Sequence, residues 1–295
     1  MPEKRLILCV HNHQPVGNLE HVVEAAYRDA YAPFLERIAR HPSIHWVIHN
    51  SGCLWEYLEA HHPEYLERMG ELVARGQVEL LAGGFYEPVL PALDSEDRRG
   101  QIRRMVGYLR ARFGVRARGL WLAERVWEPD LPIDLQAAGI DYVPLDDTQF
   151  EQVGLPARAL RGGYLTESGG RLVQLFPAAM RLRYRIPFAP PEQVLATLEA
   201  MLPDGGLAVY ADDGEKFGSW PGTRALCYEE GWLARFLSAL EQAPGMRTVT
   251  FAQESAAHRP RGRVYLPTGS YAEMDLWSLP PRMQLELAAT RRALE

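Results

Sequence analysis

The chain has 295 residues, 47% hydrophobic and 10% aromatic, enough for one large α/β barrel or two ordinary domains. Its formal net charge of -6 argues against a general nucleic-acid or anionic-membrane surface, either of which needs basic patches, and is compatible with a neutral substrate. Three widely spaced cysteines, Cys9, Cys53 and Cys227, form no CxxC pair, so neither a disulfide framework nor a zinc knuckle is indicated. The first residues lack a signal-peptide pattern and no apolar stretch reaches membrane-spanning length, so the expected location is cytoplasmic.

Arg5 to Val10 reads as a buried strand that runs into the polar loop His11-Asn12-His13-Gln14-Pro15. A helix is expected from Glu20 to Arg40, a strand from Ile44 to His49, and two helical stretches from Leu54 to Ala60 and Pro63 to Arg75. Gln77 to Ala82 is the third strand, ending in Gly83-Gly84-Phe85-Tyr86-Glu87-Pro88, and Asp94 can cap a helix that runs to Phe113. The fourth strand starts at Gly119 and ends near Glu124, because Pro129 can neither extend a ladder nor continue a helix interior. A short helix from Asp130 to Ala138 follows, then a strand from Tyr142 to Leu145 and a hairpin from Gly162 to Phe176 turned at Ser168-Gly169-Gly170. Pro191 to Leu202 reads as helix, Leu207 to Ala211 as strand, Leu226 to Leu240 as helix and Thr248 to Phe251 as a last strand.

Continuous apolar strands alternating with helices imply a parallel sheet covered on its outer face, and about seven such units imply an incomplete TIM-like (β/α)7 barrel. The barrel is expected over residues 1–260, with a post-barrel segment and the start of a helical region over 261–295. In such barrels the site lies on the loops after the strands, and every polar, aromatic-rich stretch here follows a strand.

Two strand ends carry acids. Glu124 stands in Trp121-Leu-Ala-Glu-Arg-Val-Trp-Glu-Pro129, where the bland alternative is a buried Glu124–Arg125 ion pair among core tryptophans. The second is Asp212-Asp213-Gly-Glu215-Lys216-Phe-Gly-Ser-Trp220-Pro221, where crowded acids raise a carboxyl pKa if they face each other. Its alternative is a solvated acidic turn with Lys216 as counter-ion. Two such acids, with tryptophans such as Trp121 and Trp220 to stack on sugar rings, fit glycoside cleavage, in which one carboxylate attacks the anomeric carbon and the other protonates the leaving oxygen. Glu79 alternates with Val78 and Leu80, so it points either into the barrel or at the helices.

His11 and His13 form a His-x-His, which also occurs in metal-dependent barrel hydrolases and deacetylases. That reading needs further ligands, and neither His45 nor His49 brings an obvious acidic partner. No metal and no cofactor are therefore assigned, and the histidines are expected to donate hydrogen bonds to substrate hydroxyls. A non-catalytic glucan-binding barrel is a further alternative.

Taken together, His11-Asn-His-Gln-Pro15, Gly76-Gln-Val-Glu79 with the Gly-Gly-Phe-Tyr-Glu-Pro after it, Trp121 to Pro129 and Asp212 to Pro221 resemble four of the five motifs of glycoside hydrolase family 57. The similarity covers almost the full length and is nearest to the family's 4-α-glucanotransferase (amylomaltase-like) branch, whose fourth motif, like that of its amylases, carries Asp-Gly-Glu. The resemblance implies a retaining enzyme on α-1,4-glucans, either transferase or amylase, with Glu124 as nucleophile and Asp213 as general acid/base. It also implies that His11, His13, Glu79, Glu215 and Trp220 line sugar subsites. A homodimer is possible. The family's fifth motif has no match in the helical run from Leu285 to Glu295, which implies a fragment or a minimal variant. Tyr265 to Trp277 resembles the family's post-barrel segment, and its aromatics are expected to cover the open side of the barrel.

Overall fold

The apolar runs of this chain settle into strands buried on both faces, which need no polar alternation. The computed structural model describes residues 3–271, 273, 274 and 281–294. Its strands are β1 (Lys4–Asn12), β2 (Trp46–Asn50), β3 (Val78–Leu80), β4 (Tyr142–Asp146), β5 (Tyr164–Ser168), β6 (Arg171–Ala178), β7 (Gly206–Asp213) and β8 (Met246–Thr248). One parallel sheet has the order β3-β2-β1-β7, with β8 paired to Lys4, Arg5 and Leu6 of β1; a second has the order β4-β6-β5.

Residues 119 and 120 join the two sheets. Gly119 pairs with Tyr142 and Leu120 with Ala82, both in parallel. On the other flank the Ala179 N–H donates to the Val209 carbonyl at 2.8 Å and draws β6 to β7 without a regular ladder. The wall therefore runs β1-β2-β3, residues 119–120, β4-β6-β7 and back to β1, the incomplete seven-stranded α/β barrel that the pattern implied.

Period-two alternation sorts the side chains. Ile7, Cys9, Leu207, Val209 and Ala211 join Val47, Trp121, Tyr142 and Phe176 inside the barrel, whereas Leu6, Leu8, Val10, Ala208 and Tyr210 face the helices. Each such aromatic or aliphatic side chain contributes roughly 1.5–3 kcal/mol when fully buried. Register then stacks the interior in levels: Ile7 beside Val209, Cys9 beside Val47 and Ala211, His11 beside His49 and Asp213. The interior is apolar below, apart from Glu79 beside Val47, and polar at its carboxyl end.

Several elements depart from expectation for local reasons. The fourth strand is reduced to its two bridges, because Glu124 and Arg125 leave extended conformation with φ of 52° and 49°. The last strand lies at Met246–Thr248 rather than 248–251, since Thr250 and Gln253 form a capping box that starts a helix at Phe251. Gly231, at φ 74°, separates a wide turn at Ala225–Glu229 from the helix Trp232–Gln242, so the helix expected from 226 is broken. The helix expected over 20–40 carries a similar wide turn at Tyr27–Tyr31. The hairpin turns at Gly169-Gly170, both with positive φ, and its second strand becomes a barrel strand parallel to β4.

After the barrel the chain returns across it: the Arg261 and Val264 N–H groups donate to Gly163 and Leu165, and Gly269 exchanges two backbone bonds with Trp127. Leu266 and Tyr271 are buried, as expected of a covering segment, while Tyr265 is exposed and Trp277 lies outside the described residues. A helix follows at Pro281–Leu294. No helix among the described residues is long and apolar enough to cross a membrane.

A Cβ at Gly119 would fall 2.3 Å from Tyr142 Cε2 and 2.5 Å from Leu81 Cδ2, where the sheets join. Gly119→Ala should therefore cost about 1–3 kcal/mol in chemical denaturation. Gly107→Ala, whose Cβ meets nothing within 4 Å, should be neutral or stabilising in the same assay.

Candidate active site

Three side chains reach the same level because their strands are in register: His11 on β1, His49 on β2 and Asp213 on β7. The turn after Asp213 must be glycine, since a Cβ at Gly214 would stand 1.9 Å from Asn12 Oδ1, the amide that donates to Asn50 at 2.8 Å. Glu215 is thereby turned back to accept the His13 N–H at 2.8 Å and the Tyr31 hydroxyl.

Glu124 stands on an elbow. Two successive residues with positive φ that are not glycine cost of order 1–3 kcal/mol each, so the surroundings must hold them. The Ser270 hydroxyl donates to the Glu124 carbonyl, Gly269 pairs with Trp127, and the Tyr271 hydroxyl donates to Glu124 Oε2. The side chain of Glu124 is open to the pocket. The ion pair of the bland alternative is not formed, because Arg125 binds the barrel wall, although its tryptophans are buried as that reading has them: Nη2 donates to the Ala211 carbonyl at 3.1 Å and the guanidinium lies 5.2 Å from the Trp121 ring. Trp121 itself stacks on His11 at 4.7 Å and forms the pocket floor, whereas Trp127 is core.

Asp212 and Asp213 point to opposite faces, so of the acids in this stretch only Asp213 and Glu215 share the cavity. Asp212 is buried on the outer side, where Lys216 is its counter-ion and Arg183 bridges it to Asp146 at 3.4 and 3.0 Å. Asp213 faces inward, and burial, followed by the charge of Asp212, raises its carboxyl pKa.

Glu87 supplies the acidic partner that the sequence reading of the histidines lacked. Its carboxylate meets His11 Nε2 at 2.7 Å and His13 Nδ1, while His11 Nδ1 lies 2.7 Å from His49 Nδ1. Burial opposes charge on Glu87, yet the facing histidines hold its carboxyl well below the usual carboxylate range. Burial also works against His11, but Glu87 outweighs it and raises that pKa. His49 is pushed down to about 3 by burial and by His11. The donor atoms of His11, His13 and Glu87 lie within 4.8 Å of one another, the one group among the described residues that could close on a cation. In this arrangement the ring nitrogens that face Glu87 donate to its carboxylate.

Glu124, Asp213, His11, His13, Trp121, Glu215 and Trp220 open into one cavity of about 260 Å³ at the carboxyl end of the barrel. Trp220 is 39% exposed at the rim. Glu79 is not brought there: it points inward but pairs with Val47, one level below His49, and accepts from Tyr142 and from the Ala252 N–H at 2.9 Å. Arg125, Arg183 and Tyr271 also line the cavity, and Glu87 stands behind it. Glu87 and Arg125 lie inside the motifs, Arg125 directly after Glu124 and Glu87 in the Gly-Gly-Phe-Tyr-Glu-Pro loop. Tyr271 lies in the Tyr265–Trp277 segment expected to cover the open side, whereas Arg183 carried no local signal and reaches the cavity only through the fold.

Fold and cavity together define a strand-end site with several acids in one cavity on an α/β barrel. The chain belongs to glycosyl hydrolase family 57, whose model matches residues 7–267. It is 46% identical over 284 residues to an alpha-amylase of Pyrococcus horikoshii, covering 96% of this chain and 45% of that protein. It is 45% identical over 279 residues to a 4-alpha-glucanotransferase of Thermococcus kodakarensis, covering 94% and 42%. The crystal structure of 4-alpha-glucanotransferase from Thermococcus litoralis superposes with a TM-score of 0.97 at 42% identity, over 100% of this chain and 46% of that one. The chain thus spans about half the length of the relatives it matches.

Removing the charge of buried Asp212 leaves two cations short of a partner. Asp212→Asn should lower stability by about 3 kcal/mol or more, measured by urea denaturation at neutral pH.

Proposed function

We propose that this chain carries the catalytic barrel of a retaining enzyme that acts on α-1,4-glucans, with Glu124 as nucleophile and Asp213 as general acid/base. The observation that carries this reading is the pair itself: an open carboxylate on a clamped elbow and an inward acid with a raised pKa share one cavity floored by Trp121. In the first step Glu124 bonds to the anomeric carbon while Asp213 gives its proton to the departing oxygen. In the second, Asp213 takes a proton from the acceptor hydroxyl, which attacks the glycosyl-enzyme and frees Glu124. The acceptor is a second glucan in transfer and water in hydrolysis, and relatives named for each activity stand at similar identity. His13, Glu215 and Trp220 serve the sugar as donor, acceptor and stacking face. Glu79, a level lower, supports the barrel interior.

Products formed from maltotriose or maltoheptaose test the reading. Wild-type protein should give longer and shorter oligosaccharides together. Glu124→Gln should abolish turnover, and Asp213→Asn should lower it roughly 10²–10⁴-fold. With an α-maltosyl fluoride donor, whose leaving group needs no proton, Asp213→Asn should recover formation of the glycosyl-enzyme and Glu124→Gln should not. Because Asp213 must enter protonated, turnover should fall as pH rises through its raised pKa. Equal activity of both variants and wild type would overturn the assignment.

A further inference from the structure

The loop that leaves β3 is built to deliver one carboxylate. Gly83 lets the chain pass against His49, whose Nε2 lies 2.3 Å from where a Cβ would stand, and Gly84 makes room for Pro88 in the same way at 2.7 Å. Glu87 is then held at φ 57°, with its N–H donating to the Gly84 carbonyl at 2.9 Å. A left-handed conformation at a residue that is not glycine, just before a proline, is costly. It persists here together with a side chain only 9% exposed, whose two oxygens each meet a different histidine.

We infer that Glu87 is a positioning residue of the site: its carboxylate fixes the Nε2 proton of His11 and the Nδ1 proton of His13, so that His13 presents its remaining ring nitrogen to the sugar in one orientation. An ionised carboxylate only accepts, so each nitrogen facing it must donate, whether the ring is neutral or charged. For His11 this uses Nε2, and its Nδ1 is occupied by His49, so His11 has no ring nitrogen for a substrate and acts as a stacked plate beneath it with Trp121. His13 differs. Its side chain is 46% exposed in the cavity, and Nε2 has no hydrogen-bond partner among the described residues. Glu87 therefore divides two adjacent histidines into a buried plate and a hydroxyl-binding group. This deepens the function proposed above and rests on it only for the identity of the sugar.

The electrostatics agree with this division. The hydrogen bond to Glu87 raises the pKa of His13, with burial opposing and Glu215 and Glu124 adding to the rise. The charged groups facing the two rings are Glu87 from the β3 loop, Glu124 and Arg125 from the elbow, and Asp213 and Glu215 from the end of β7, with His49 neutral below. Below its raised pKa, His13 Nε2–H is a donor to a sugar hydroxyl; above it, that nitrogen can only accept.

Long-range ¹H–¹⁵N spectra of the imidazole rings across a pH titration test this without any assay of turnover. In wild type, His13 should keep its Nδ1 proton above its pKa. In Glu87→Gln its pKa should fall by about one unit or more and the neutral ring should become a tautomeric mixture, whereas Glu87→Asp should lie between the two. Circular dichroism confirms the fold of each variant, and if Glu87→Gln fails to fold, Glu87→Asp carries the comparison. In calorimetric titrations with maltotriose, the pH above which Kd worsens should shift downward by the same amount in Glu87→Gln. An unchanged His13 titration and tautomer in the folded variant would overturn the inference. An altered titration with no maltotriose binding at any pH would uphold the role of Glu87 and count against the glucan reading alone.

Discussion

The site depends on the parallel register of β1 with β7 and β2. Side chains on a strand alternate with a strict period of two, so pairing His11 with Asp213 and with His49 puts all three inside the barrel at one height. A slip of one residue on β7 would turn Asp213 to the helices and bring Asp212 into the interior, away from Lys216 and Arg183. Two adjacent aspartates thus acquire unrelated tasks from their parity alone. One is neutralised by buried cations in the outer layer, and the other faces the cavity with a raised pKa.

The second carboxylate is placed by strain rather than by register. Glu124 and Arg125 occupy left-handed conformations that nothing local rewards, and the segment from Gly269 to Tyr271 supplies the counterweight by binding the backbone and the carboxylate of the elbow. Arg125 pins the same elbow to β7 through the Ala211 carbonyl, which lies on the flank where β6 and β7 lack a regular ladder. An incomplete barrel leaves unpaired backbone at its seam, and here that acceptor serves to couple the two acid-bearing segments. The post-barrel segment is accordingly part of the site's construction, although sequence patterning put the barrel's end before it.

Much of this was legible in the sequence. Apolar runs ending in Asn-His, Glu-Arg or Asp-Gly gave away strand ends, and seven of the eight chosen residues open into one cavity. Glu79 shows the limit: alternation predicts that it faces either inward or outward, but its height is set by pairing with Val47, and a one-level offset removes it from the cavity. The elbow is hidden because a left-handed pair of non-glycine residues has no propensity signature, so alternation alone extends the fourth strand to Glu124. Arg183 was missed for a different reason, since it is an ordinary residue until the chain after the hairpin folds over the mouth, and Tyr271 was legible only as part of a covering segment and not as a partner of Glu124. The last strand shifted because the Thr250–Gln253 capping box outweighed the β propensity of Val249 and Phe251.

The charges around the cavity have a common logic. Four carboxylates stand at or behind it, Glu87, Glu124, Asp213 and Glu215. Each is met in a different way: Glu87 by two histidines, Glu215 by a backbone N–H and a phenol, Glu124 by a phenol and open solvent, and Asp213 by enclosure beside another acid. Burial raises the pKa of both Asp213 and Glu215, but Glu215 is also met by hydrogen-bond donors. Carboxyl groups of the same chemical type can take different tasks in one cavity when their surroundings differ in this way.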